Sequence, residues 1–311
     1  DPAYYDLGRD DYVDSDFASE TTSLSSSIYR GVFENGRRCP SDEQQFESLE
    51  AGHLLCVLLD ANTDNPLFHA PVKDPKQILD IGTGRGTWAK GVDLFPQPVN
   101  WLPPNCIMEV DDILQEWTWR HPFDLIHMRQ LIGAFTPVEW DSLFTQCYKN
   151  LSPGGWIEQI EGDPRIHCSD SSVSTDSSMV QFTEAVFRAG QNWNHPLDTP
   201  DTMRAAMEKA GFVDTQEKTY RWPVGPWARD PTLKEAGRLH YHQWTAGMEG
   251  WGLYRSQAVD EGGGVGFVGE GVAGSALGWL MFYRRRVWGR KPTQEEVEGK
   301  MKREIVKDSG V

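Results

Sequence analysis

Apolar residues run along this chain in two rhythms, short continuous or alternating runs and runs spaced by three and four. Ile78 to Ile81, Cys106 to Val110, Phe123 to Met128 and Trp156 to Glu161 read as strands. Trp140, Leu143, Phe144, Cys147 and Leu151 recur at helical spacing and predict a helix from Val138 to Leu151, stopped by Ser152-Pro153-Gly154-Gly155. Before them, Ser41 or Asp42 caps a predicted helix carrying Phe46, Leu49, His53, Leu54 and Val57 on one face. His53 reads there as a packed helix residue. Earlier still, Asn35-Gly36 between two short strand-like pieces predicts a hairpin. Strand and helix alternating in this way predict an α/β fold, a doubly wound and mostly parallel sheet with helices on both faces.

The ends differ in character. Residues 1–27 are acidic and Ser/Thr-rich and read as a disordered arm. Beyond Asp163, helices are expected over Ser178–Asn192 and Thr202–Ala210, then a strand over Phe212–Tyr220. Residues 255–278, with eight glycines between Gly262 and Gly278, read as a flexible insert that ends a domain spanning 28–254. Leu277 to Trp288 carries Trp279, Leu280, Tyr283 and Val287 at helical spacing, so 279–311 is expected to form C-terminal helices, the last capped by Thr293 with Glu296. Arg284, Arg285, Arg286, Arg290 and Lys291 would then lie on a solvated helix face.

The first strand runs into the chain's most informative stretch, Asp80-Ile81-Gly82-Thr83-Gly84-Arg85-Gly86-Thr87. Three glycines at every second position permit positive φ and let a ligand lie against bare main chain. A dinucleotide fingerprint would place its third glycine one residue later, at Thr87. Asp80 closes the strand, where a carboxylate repels a pyrophosphate but welcomes an ammonium or sulfonium group. S-adenosylmethionine carries both cations and no phosphate.

After the turn the spacing is short. Gly91-Val92-Asp93-Leu94 looks like the end of a second strand, with Asp93 placed for ribose hydroxyls. Yet Asp93 follows Gly86 by only seven residues, fewer than a helical crossover uses. Either the crossover helix is missing, or Trp88 to Phe95 is that helix and the second strand is missing. A missing crossover would leave one face of Ile78–Ile81 uncovered. Asp111-Asp112 ends the next strand, placed for an adenine amino group or, equally, for a turn.

Composition narrows the function. At 311 residues and a net charge of −16, the chain is repelled by nucleic acid and by anionic membranes. No run matches a membrane span or a signal peptide, and five scattered cysteines without C-x-x-C spacing suggest reduced thiols and no metal site, in a cytoplasmic or nuclear protein.

Six blocks then carry a likeness: YRGVFENGRR, ILDIGTGRGTWA, WLPPNC, VDDILQEW, FDLIHMRQLIG and YKNLSPGGWIEQIE, in this order between residues 29 and 161. Together they resemble the LaeA-like class I methyltransferases of fungi, whose fold is Rossmann-like with a helical lid. The resemblance implies S-adenosylmethionine as cofactor and a role in secondary metabolism. It implies that Asp80, Gly82, Gly84 and Gly86 form the methionine-side loop, that Asp93 is the ribose acid, and that the lost piece is the helix before it. It places Asp112, beside Asp111, toward the adenine, and makes Tyr29 and Arg30 an arm closing over the cofactor.

Methyl transfer needs a base only where the acceptor must first lose a proton; His127, Glu158, Glu161 and His167 are the candidates at strand ends. No D/N-P-P-Y/F motif follows the fourth strand, which argues against flipped DNA bases and for a small-molecule acceptor. Trp193, Trp222, Trp227 and Trp244 are candidates for walling its pocket. The alternative function is a regulator of the same fold that works through protein partners with little turnover.

Overall fold

The computed structural model describes residues 32–34, 37–39, 43–84, 86, 89–94, 102, 104–168, 177–256 and 280–308. The acidic arm, Tyr29 and Arg30, and most of the glycine-rich stretch lie outside them. In order come β1 (Val32–Glu34), β2 (Arg37–Cys39), α1 (Glu43–Asp60), β3 (Ile78–Ile81), β4 (Lys90–Asp93), β5 (Met108–Val110), β6 (Phe123–Arg129), α2 (Pro137–Asn150) and β7 (Leu151–Gly162). They are followed by β8 (His167–Cys168), α3 (Ser178–Asn192), α4 (Thr199–Lys209), β9 (Val213–Pro223), α5 (Pro231–Ser256), β10 (Leu280–Arg290) and α6 (Gln294–Asp308). β1 and β2 form the expected hairpin.

The main sheet has the order β5-β4-β3-β6-β7-β10, with β8 and β9 also pairing with β10. β5, β4, β3, β6 and β7 are parallel; β10 runs antiparallel to β7 and to β9. This is the doubly wound, mostly parallel sheet expected, and its order reverses between β3 and β6. Open α/β sheets bind ligands at such a reversal, outside the carboxyl ends of the strands.

The spacing question is settled by the second strand, which is present. β4 is a strand: Leu79 pairs with Lys90 and Ile81 with Val92. The connection 82–89 shows no helix among its described residues. It succeeds because β4 is short: the chain must drop back only from the level of Ile81 to that of Leu79, two residue rises or about 7 Å. Eight extended residues reach up to about 27 Å. The face expected to be bare is covered. Leu79 and Ile81 are fully buried in the core with Phe144 and Met207. Ile78 packs against a second cluster, Phe68, Ala70, Leu125 and Trp288, so the segment after α1 supplies part of the cover.

Four readings need correction. Leu277–Trp288 is not a helix; its described part belongs to β10, which pairs with β7 on one side and with β8 and β9 on the other, so the C-terminal part is no separate helical unit but completes the main sheet. The basic cluster there is not a solvated face. Arg284 and Arg286 are buried, Arg285 pairs with Asp201, and Arg290 pairs with Asp214 and Glu296. Arg286 is neutralised by Asp60 and by Glu158 at 2.9 Å. In α1 the buried face is Ser48, Ala51, Leu55 and Cys56, while Leu54 is exposed, because small residues let α1 press on α5. Ser48 Oγ donates to the Gln243 carbonyl at 2.9 Å across that contact. β7 also runs through Ser152-Pro153-Gly154-Gly155 instead of starting after it. The capping boxes hold as read for α6, where Glu296 Oε2 accepts from the Thr293 N–H at 2.7 Å.

Candidate functional site at the carboxyl edge of the sheet

The glycine turn sits at the reversal of strand order. Gly82, Gly84 and Gly86 have φ of 65°, 59° and 68°, a conformation side chains resist. The Gly82 N–H donates to the Val92 carbonyl at 2.9 Å, which ties the turn to β4. Among the described residues, a β-carbon at Gly84 would meet only Leu49 of α1, at 3.6 Å, which leaves room there for a ligand. Gly86 is closed instead: a β-carbon there would stand 2.5 Å from Met108 Sδ.

Asp80 is buried beneath the turn. Its Oδ1 lies 2.7 Å from His127 Nδ1 on β6, and its Oδ2 accepts from Thr83 Oγ1 at 3.0 Å. Burial opposes its ionisation, but His127, Arg129 and the Thr83 hydroxyl outweigh that and hold the carboxyl below its ordinary range. His127 is therefore spent on Asp80. Next to it, Arg129 Nη2 donates to His53 Nδ1 at 2.9 Å, and burial followed by the Arg129 charge lowers the His53 pKa to about 4.

Asp93 closes β4, and its Oδ2 accepts from the Gly84 N–H at 3.0 Å. Asp111 and Asp112 follow β5. Asp111 is exposed, and Asp112 caps a turn, accepting from the Leu114 N–H at 3.0 Å and from Gln115 Nε2 at 2.9 Å. Asp80, Gly82, Gly84, Asp93 and the Asp111–Asp112 pair thus share one edge of the sheet, at the ends of β3, β4 and β5.

The other acid–base candidates have structural partners. Glu161 is buried and accepts from the Leu131 and Ile132 N–H groups at 3.2 and 3.0 Å and from Gln159 Nε2 at 3.1 Å; burial pushes its carboxyl up to about 7. Glu158 accepts from the His69 and Ala70 N–H groups, both at 2.7 Å, and pairs with Arg286. His167 pairs with Met281 on β10, with β7 and β10 between it and β6 in the sheet order. Trp222 is buried under Arg284, Trp244 stacks on Phe282 at 4.6 Å, and Trp193 is exposed.

Two contacts escaped the sequence. Met108 fills the space over Gly86 and Gly91, and Leu131, just after β6, presses on Gly82, where a β-carbon would stand 2.5 Å from Leu131 Cδ2. Neither residue belongs to a polar pattern, so only the fold identifies them. Among the described residues there is no cluster of three or more metal-ligating side chains, and no helix is long and apolar enough to cross a membrane.

Known proteins resemble this chain. A family model described as a methyltransferase domain matches residues 57–217. Methyltransferase pytC of Aspergillus terreus is 34% identical over 259 residues, 75% of this chain and 78% of its own length. Probable methyltransferase tdiE of Emericella nidulans is 29% identical over 229 residues, 68% of this chain and 69% of its own. Secondary metabolism regulator laeA of Fusarium oxysporum f. sp. lycopersici is 30% identical over 218 residues, 64% of this chain and 68% of its own.

Proposed function

This chain belongs to the methyltransferase domain family, and from that premise we propose that it transfers a methyl group from S-adenosylmethionine to a small-molecule acceptor of secondary metabolism. The observation that carries the reading is the shared edge at the strand reversal, where an acid-backed glycine turn and the acid of β4 meet across a short crossover.

The residues fit such a cofactor. Open main chain at Gly84 admits a ligand, and the ionised Asp80 beneath the turn favours the ammonium and sulfonium charges. Asp93 stands where it can accept from ribose hydroxyls while holding the Gly84 amide, and Asp111 is the exposed carboxylate on the adenine side. When bound, the cofactor supplies an electrophilic methyl on sulfur. The protein's share is to position the acceptor in line and to exclude water. His127 and Glu161 are positioning residues in this scheme: the first fixes Asp80, the second fixes the backbone of Leu131 and Ile132 beside the turn. The likeness to the regulator laeA favours a second reading, in which the same fold acts through protein partners.

Calorimetric titration with S-adenosylhomocysteine tests the proposal. Saturable binding that weakens in Asp93→Ala supports it, and a folded protein that gives no binding heat refutes it.

A further inference from the structure

Arg284 is a buried cation held mainly by neutral groups. It lies on β10 opposite Gly162, 5% exposed, with its guanidinium carbon 4.1 Å from the Trp222 ring centroid. The Gln130 amide takes the orientation in which its oxygen accepts from both Nη atoms of Arg284 and from Gln243 Nε2, each at 2.8 Å. Gln243 Oε1 lies 3.5 Å from Arg284 Nη2. Among the described residues, no carboxylate forms an ion pair with Arg284. Arg286, two positions along the same strand, shows the contrast: it is paired with Asp60 and Glu158.

A buried charge without an opposite charge is costly, and here the cost falls at the functional edge. Gln130 directly follows β6 at the strand reversal and is a non-glycine residue with φ of 59°. Strained conformations of this kind persist where surrounding structure enforces them, often at ligand sites. Its neighbour Leu131 packs on Gly82 of the glycine turn. Arg284 is thus linked through Gln130 and Leu131 to the turn that would hold the methyl donor. The closest acid in charge terms, Glu161, is committed to the Leu131 and Ile132 amides, and burial makes it protonate near neutral pH.

Resting on the methyltransferase reading, we propose that Arg284 is the specificity-determining residue of the acceptor site, and that the acceptor presents an anionic oxygen head, a carboxylate or enolate, to its guanidinium. The head replaces the Gln130 and Gln243 oxygens on the Nη atoms, beside the Trp222 ring on which the guanidinium lies. A guanidinium binds such a head through two parallel bonds, which an amide of equal shape cannot match.

The test compares benzoate with benzamide, equal in shape and different in charge, by calorimetry on protein saturated with S-adenosylhomocysteine. Benzoate is expected to bind about tenfold or more tighter. The preference is expected to vanish in Arg284→Met. It is also expected to vanish in Gln243→Glu, which puts a carboxylate beside Arg284 within the fold and guards against a misfolded Met variant. S-adenosylhomocysteine affinity should stay within about twofold in both. Equal binding of the two probes, binding of neither, or a preference that survives in folded Gln243→Glu overturns the proposal. Should S-adenosylhomocysteine itself fail to bind wild type, the methyltransferase reading falls, while the same comparison on unloaded protein still reports on Arg284.

Discussion

His127 Nδ1 lies 2.7 Å from Asp80 Oδ1, one rung across the β3–β6 pair where the strand order reverses. The contact joins a buried strand residue to the acid beneath the glycine turn, so the sheet and the site share one electrostatic element. Removing His127 leaves that acid buried without its principal partner. His127→Phe is therefore expected to lower unfolding free energy by about 3–5 kcal/mol, the range for breaking a buried pair. His127→Asn, which keeps a donor, should recover part of the loss. Urea denaturation checks both, and a loss under about 1 kcal/mol for Phe would show that the pair carries little.

Gly91 is the position on β4 where the fold tolerates no side chain. A β-carbon there would stand 2.5 Å from Met108 Sδ and 2.7 Å from Thr83 Cγ2. Gly91→Ala is expected to destabilise by about 1–3 kcal/mol through overpacking. Met108→Ala should relieve part of that clash, so the double variant should be more stable than the sum of the single effects by at least about 0.5 kcal/mol. Strict additivity would place Met108 elsewhere.

His240 is held as a neutral ring: Nδ1 donates to the Pro223 carbonyl at 2.9 Å, and Nε2 accepts from Trp244 Nε1 at 3.1 Å. Burial, then the Arg284 charge, lowers its pKa to about 3 from 6.5. Its contribution is full above pH 6.5 and is lost as pH falls toward 3, because the unfolded chain binds the proton first. His53, at about 4, acts in the same direction. Glu161, raised to about 7, acts oppositely, and its contribution is lost as pH rises from 4.5 through 7. Two histidines against one carboxyl leave stability rising between about pH 4.5 and 6.5, by roughly 1.4 kcal/mol per pH unit for one net proton. His240→Phe is expected to flatten that rise in melting temperature. An unchanged slope would contradict the neutral assignment.

Much of this fold was legible because burial followed simple patterns. β3 and β6 are apolar runs, and α2 buries Trp140, Leu143, Phe144 and Cys147 as their spacing predicts. β10 was not legible. Its inward face is Phe282, Arg284, Arg286 and Trp288, and its two arginines read as solvated until their partners on α1, β7 and α5 and just after β6 are known. α1 misled in the opposite way, burying Ser48 and Ala51 while exposing Leu54. At the site, the glycines and the aspartates announced themselves by type and spacing. The choice between a lost helix and a lost strand did not, because both satisfy the same count of residues. The resemblance chose the lost helix, and the pairing of Leu79 with Lys90 shows the second strand to be present.

The central claim is that a shortened crossover still delivers Asp80, Gly84 and Asp93 to one cofactor site, and titration with S-adenosylhomocysteine tests it most directly. Wild type is expected to bind one equivalent with micromolar affinity. Asp93→Ala should cost about 1–3 kcal/mol through lost charge-assisted bonds. Gly84→Val, which puts a branched side chain at φ of 59° on the open main chain, should abolish the signal in a protein that still melts cooperatively. Binding of unchanged strength in both folded variants, or none in folded wild type, would contradict the account.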